Sequence, residues 1–174
     1  MSTPATARQA PSAGRYAIDP SGSSVRFVTR HMFGLARVRG AFAVTSGALA
    51  VTDPAEDSVV EAAVSAASFS TGNFIRDTHV RSRLFLDTRR HPLISFRSTA
   101  IRRNGDAWTM SGVLTVKGRT APLDLTVTSV TTEGTTLVLR ASGTVDRYAY
   151  GVTSMRGMAA RNLSVEIIAR ATNA

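Results

Sequence analysis

Apolar and polar residues alternate along most of this chain with a period of two, the spacing that sends every second side chain of a β-strand to one face. Val25, Phe27 and Thr29 alternate with Arg26, Val28 and Arg30, and His31 ends the run. After Met32 to Leu35, where Gly34 breaks the strand, Val38, Gly40, Phe42 and Val44 alternate with Arg37, Arg39, Ala41 and Ala43. Gly47 and Asp53-Pro54 punctuate a short strand at Ala48 to Val51, and Val59 to Ser68 reads as a longer strand of small side chains. Downstream, Ile94 shares a parity with Phe96, and Trp108 shares one with Met110, Gly112, Leu114 and Val116. Leu123, Leu125 and Val127 follow, then Leu137, Leu139, Ala141 and Val145, then Leu163, Val165 and Ile167. Asp19-Pro20-Ser21-Gly22, Asn104-Gly105-Asp106, Lys117-Gly118 and Glu133-Gly134 supply the turns.

The segment from Asn73 to Phe96 departs from this rhythm. Gly72 and Asn73 suit a helix start, Asp77 falls in the first turns where negative charge is favoured, and Pro92 forbids further helix. One short helix is predicted over about Phe74 to Phe85, with Asp77 and Arg81 as an i,i+4 ion pair. Its apolar residues do not gather on one clean face, so it must lean on something larger or close over it.

Eight or more antiparallel strands, short turns and a single helix define an all-β protein. A sheet of that length curls, and closure removes its exposed edges. Sandwich and barrel both satisfy the pattern. Small inward residues such as Val25, Gly40, Val44, Gly112, Val116 and Ala141, with few rings to fill the middle, favour a barrel with an apolar cavity. Its wall would include Phe27, Phe42, Ile94, Phe96, Trp108, Met110, Leu114, Val116 and Leu125.

At 174 residues the chain suits one domain, expected over residues 15–174. Residues 1–14, rich in Ala, Ser, Thr, Pro and Gln, read as a disordered tail. With no cysteine there is neither a disulfide framework nor a thiolate metal site. No apolar run reaches signal-peptide length at the N-terminus or the ~18 residues of a membrane span, which predicts a soluble cytoplasmic protein. The net charge of +9 is spread as single arginines on strands and is dense only between Arg76 and Arg90. Scattered arginine reads as the solvated face of a β protein, not as a track for nucleic acid.

Chemical motifs are sparse. His31, His79 and His91 show no HxxxH or HxH spacing, so no metal is predicted. No GxSxG elbow, SxxK pair or phosphate-binding glycine loop occurs, so no catalytic residue and no cofactor is assigned. Asp77 and His79, two apart on a helix, point to different sides and make a poor dyad. Arginines at the rim of an apolar cavity would suit an amphiphile with a hydrocarbon tail and an anionic or polar head. Arg76, Arg81 and Arg83, with His79, are the candidates to orient that head.

The chain resembles the YceI-like family of polyisoprenoid-binding proteins. The resemblance runs through Tyr16 to Ser24, Phe27 to Phe42 with His31-Met32 and Gly40-Ala41-Phe42, and Arg76-Asp77-x-His79-Val80-Arg81-Ser82. It continues in Phe85-Leu86-Asp87, Pro92-Leu93-Ile94-Ser95-Phe96-x-Ser98, Gly112-x-Leu114-Thr115-Val116-Lys117-Gly118 and Arg147 to Gly151. It implies an eight-stranded, lipocalin-like antiparallel barrel, commonly dimeric, enclosing a polyisoprenoid, isoprenoid quinone or fatty-acid-like lipid without catalysis. Arg76, Asp77, His79 and Arg81 match its helical motif and imply a mouth beside the helix; His31 and Phe42 match its early strand pair and imply lining. Tyr16, Leu84 and His91 depart from it, standing where a Trp, an acid and an aromatic are usual. Two other readings remain: an enzyme on a small amphiphile with His79 and Asp77 as acid and base, or an electrostatic binder of an anionic surface, with transient membrane contact.

Overall fold

The computed structural model describes residues 11–174. The first part of the expected tail, residues 1–10, lies outside the described residues. Its end is already tied down: Gly14 opens the first strand, and the Tyr16 hydroxyl donates to the Ser12 carbonyl at 2.8 Å.

Ten strands, β1 (Gly14–Ile18), β2 (Ser24–His31), β3 (Ala36–Phe42), β4 (Val44–Val51), β5 (Val59–Ser65), β6 (Leu93–Asn104), β7 (Ala107–Val116), β8 (Arg119–Glu133), β9 (Thr136–Asp146) and β10 (Asn162–Asn173), close into one barrel. They make eight staves. β1 and β2 take successive lengths of β10: Tyr16 to Ile18 face Asn173 to Ala171, and Ser24 to Val28 face Ile168 to Ser164. β3 and β4 likewise succeed one another, separated by Ala43, against β2 and then β5. Two-residue turns with left-handed glycines at Gly105, Gly118 and Gly134 join β6 to β9 as a meander.

The expected elements are present with three differences. Gly47 does not end a strand but lies within β4, because a Cβ there would run into Ile18 and the Glu61 carbonyl. The strand expected to reach Ser68 stops at Ser65, where Ala66–Ser68 turns as a 3-10 helix and buries Ala66. The helix, α1, spans Phe74–Arg81 and is shorter than predicted. Asn73 caps its start, accepting from the Arg76 amide at 3.0 Å, and Ser82 leaves helical geometry. Tight turns from Ser82 to Asp87 then carry Phe85 and Leu86 into the core.

Two apolar clusters fill the molecule. The larger runs through the barrel and contains Leu49, Met110, Leu125, Leu137 and Ala171. The second packs one end, where Phe27, Phe69, Phe85, Leu86, Val116, Tyr150 and Val152 come together beneath α1 and the β9–β10 connection. That end gathers the β2–β3, β5–β6, β7–β8 and β9–β10 connections.

Candidate functional site: an apolar barrel interior

The alternating inward faces leave a space of about 200 Å³ in the barrel. Apart from Ser23 its wall is wholly apolar. Phe27, Phe42, Ile94, Phe96, Met110, Leu114, Val116 and Leu125 all border it. The space is smaller than the inward glycines suggest, because aromatic rings fill the places they vacate. A Cβ on Gly40 would meet the Phe27 ring, and one on Gly112 would meet the Phe96 ring. Phe27 and Phe96 are thus wall and filling together.

A second space of about 500 Å³ opens toward the other end of the barrel, between Trp108, Ile101, Val127 and the exposed Arg103 and Asp106. Trp108 belongs to this space and not to the first. Leu49, Val60, Met110 and Leu139 border both and form the partition. Leu49 and Val60 were not singled out by the sequence, since β4 and β5 carry small residues on both faces and their parity is weak. His31 borders neither space; it sits at the end of β2, bridged to Ala159 of the β9–β10 connection.

At the α1 end, Phe27, Phe42 and Phe69 form an aromatic plug, with ring centroids 5.2 to 5.7 Å apart. Phe69 lies in an irregular turn, outside any alternation that could flag it. Arg76, Asp77 and Arg81 of the β5–β6 connection are bonded within it. Asp77, 5% exposed, accepts from the Thr71 amide at 3.0 Å and the Thr71 hydroxyl at 2.5 Å. Arg76 Nε donates to the same hydroxyl at 2.8 Å. The Arg81 guanidinium donates to the Phe69 carbonyl at 2.6 Å, so the expected Asp77–Arg81 ion pair is replaced by two separate ties to the preceding turn. His79 meets Phe85 edge to face at 5.2 Å. Arg76, Asp77, His79 and Arg81 border neither interior space.

Arg147 carries no signal in the sequence beyond its place in the family motif, yet it organises the neighbouring connection. The residue is 7% exposed, and its guanidinium donates to the carbonyls of Val152, Ala159 and Ala160 at 2.8 to 3.0 Å and lies 4.9 Å from the Tyr148 ring centroid. Burial lowers its pKa, and Tyr148 opposes the shift. At the base of the same connection Arg161 forks onto Asp146, at 2.9 and 2.7 Å. That hydrogen bonding holds the Asp146 carboxyl below its ordinary value, against the opposing effect of burial. Burial pushes the Tyr150 phenol up.

Among the described residues no three His, Asp or Glu side chains gather as metal ligands. Asp77 and His79 do not form a dyad, since the carboxylate is occupied by Thr71 and the imidazole packs on Phe85. What the interior offers is solvation of an apolar molecule.

Known proteins share this architecture. The solved structure of BcnA from Burkholderia cenocepacia superposes with a TM-score of 0.78 at 21% identity, covering 89% of this chain and 99% of that one. A structure described as a polyisoprenoid binding domain from Saccharophagus degradans, implicated in plant cell wall breakdown, gives 0.70 at 14% identity, with 91% and 98% covered. In sequence, a UPF0312 protein of Yersinia pestis is 32% identical over 117 residues, and the protein YceI of Escherichia coli O157:H7 is 33% identical over 117. These alignments cover 65% of this chain and 60% of each relative's length. The model of the YceI-like domain matches residues 16–171, which takes in part of every stave of the barrel and, apart from Pro11, the lining of both interior spaces, and the chain belongs to that family.

Proposed function

We propose that this protein is a non-enzymatic binder of a long-chain apolar lipid, its hydrocarbon tail held inside the barrel. The observation that carries the reading is a space within the barrel walled by apolar side chains save Ser23. An unfilled apolar space of about 200 Å³ weakens a fold by on the order of 5 kcal/mol, at roughly 24 cal/mol per Å³, which is comparable with the net stability of a domain. A tail that fills it removes this penalty and gains roughly 0.8 kcal/mol per buried CH₂.

The inner space alone suits a small apolar group, since a cavity of about 150 Å³ accommodates benzene. A long chain must therefore pass Met110 and continue into the second space, where Trp108, Arg103, Asp106 and Ser58 offer an amphipathic and polar surround for a head. The polyisoprenoid binding named for the Saccharophagus domain supports a prenyl chain as the first candidate.

The test is extraction of the purified protein with organic solvent and mass spectrometry of what is released. A prenyl or acyl lipid near one per chain is expected. Leu114→Trp fills the inner space and is expected to abolish that lipid while circular dichroism stays that of the barrel. A folded Leu114→Trp protein that retains the lipid would refute the binding mode.

A further inference from the structure

Every large apolar side chain exposed among the described residues lies at or beside the α1 end of the barrel. The most exposed are Leu35 at 86%, Ile75 at 81%, Phe74 at 80% and Phe33 at 76%. The β2–β3 tip is built to present its share. Met32 and Phe33 both take left-handed backbone angles, φ 52° and 56°, which are strained for residues of this size. Hydrogen bonds from the Met32 amide to the Met158 carbonyl at 2.7 Å and from the Phe33 amide to the Gly157 carbonyl at 3.0 Å hold them there. A soluble surface gains nothing from fixing a phenyl ring outward at such a cost.

Charge surrounds this apolar tip. Arg30 stands directly across from Arg37 in the β2–β3 ladder, a like-charge pairing that destabilises a sheet unless an anion lies between. With Arg26 and Arg39 they line a groove on the outer face in which Glu166 is the one acidic side chain. On the adjoining connections Arg83, Arg89, Arg90 and Arg156 are exposed, whereas Asp77 and Asp87 are buried. The connections at the opposite end carry Asp53, Glu56, Asp57 and Asp106 with no Arg or Lys.

We propose that the α1 end docks on an anionic lipid bilayer, with Phe33 and Leu35 entering the interface and the surrounding arginines holding lipid phosphates. Apolar side chains ringed by basic ones are the chemistry of interfacial anchoring. A second copy of the chain is a poorer occupant, because two such ends repel. A nucleic acid would use the arginines but has no use for an aliphatic Leu35 on a rigid tip. Docking does not rest on what the barrel holds, so its failure and that of lipid storage are separate results.

The test is co-sedimentation of the full chain with phosphatidylcholine vesicles, with and without roughly a third of phosphatidylglycerol, at ~0.1 M and ~0.5 M salt. Binding is expected only to the anionic vesicles, weakened at the higher salt. Phe33→Ala with Leu35→Ala should reduce it about tenfold without loss of folding, since neither side chain is buried. Arg37→Glu with Arg39→Glu should abolish it, while Arg102→Glu with Arg140→Glu, equal in charge but away from this end, should retain it. Any of four results overturns the proposal: no preference for anionic vesicles, equal loss in the two charge variants, full binding by the Phe33 and Leu35 variant, or conversion of a dimer into a monomer by that same variant.

Discussion

Arg147 shows how one side chain holds a long connection in place. Arg147→Ala leaves three carbonyls without a donor in a buried setting, a loss of about 3 kcal/mol. In a chain of this size that lowers the melting temperature by about 10 °C, measurable by thermal unfolding. Arg147→Lys is expected to recover only part of it, because one ammonium cannot reach carbonyls spread on three sides as a planar guanidinium does. Nothing in the alternation around Arg147 marks it as buried; a lone arginine after a strand reads as solvated until the folded chain is seen. Phe27, Met110 and Leu114 were legible for the opposite reason, since each sits in a strand whose polar partners declare the outward face.

The elements differ in how much they disclosed. Strands β6 to β9 emerged nearly complete, because each pairs with its chain neighbour through a turn whose residues are diagnostic. The helix was misjudged by its last turn. Propensity permits α1 to run on, but only a turn at Ser82 delivers both Phe85 and Leu86 to the core. The β9–β10 connection makes its own prediction through Asp146. A carboxyl whose folded pKa lies below its unfolded value of about 3.9 stabilises the fold above that pH, and the contribution disappears as pH falls through the folded value. The protection of the Tyr148 and Gly151 amides, taken relative to the intrinsic exchange rate at each pH, should therefore fall in acid below about pH 4, and Asp146→Asn should show the lower protection already at neutral pH. Exchange in that variant equal to the parent's would remove the clasp from the account.

Over the whole molecule, capacity is set where two spaces meet. Met110 lies on the partition, 4% exposed, and its flexible thioether is well suited to yield. Met110→Ala should join the spaces and shift the co-purified lipid toward longer chains, whereas Met110→Trp should shorten it; identical chain lengths in all three proteins would show that the tail does not cross there. Burial of the two spaces was legible only as a tendency, because their volumes depend on where the rings of Phe27 and Phe96 fall. The separation of charge between the two sets of connections has a further effect. It gives the molecule an electric moment along the barrel axis on top of its net charge of +9, which turns the α1 end toward an anionic surface before contact. The rate of association with anionic vesicles should therefore fall steeply as salt is added, more steeply than the rate of dissociation rises.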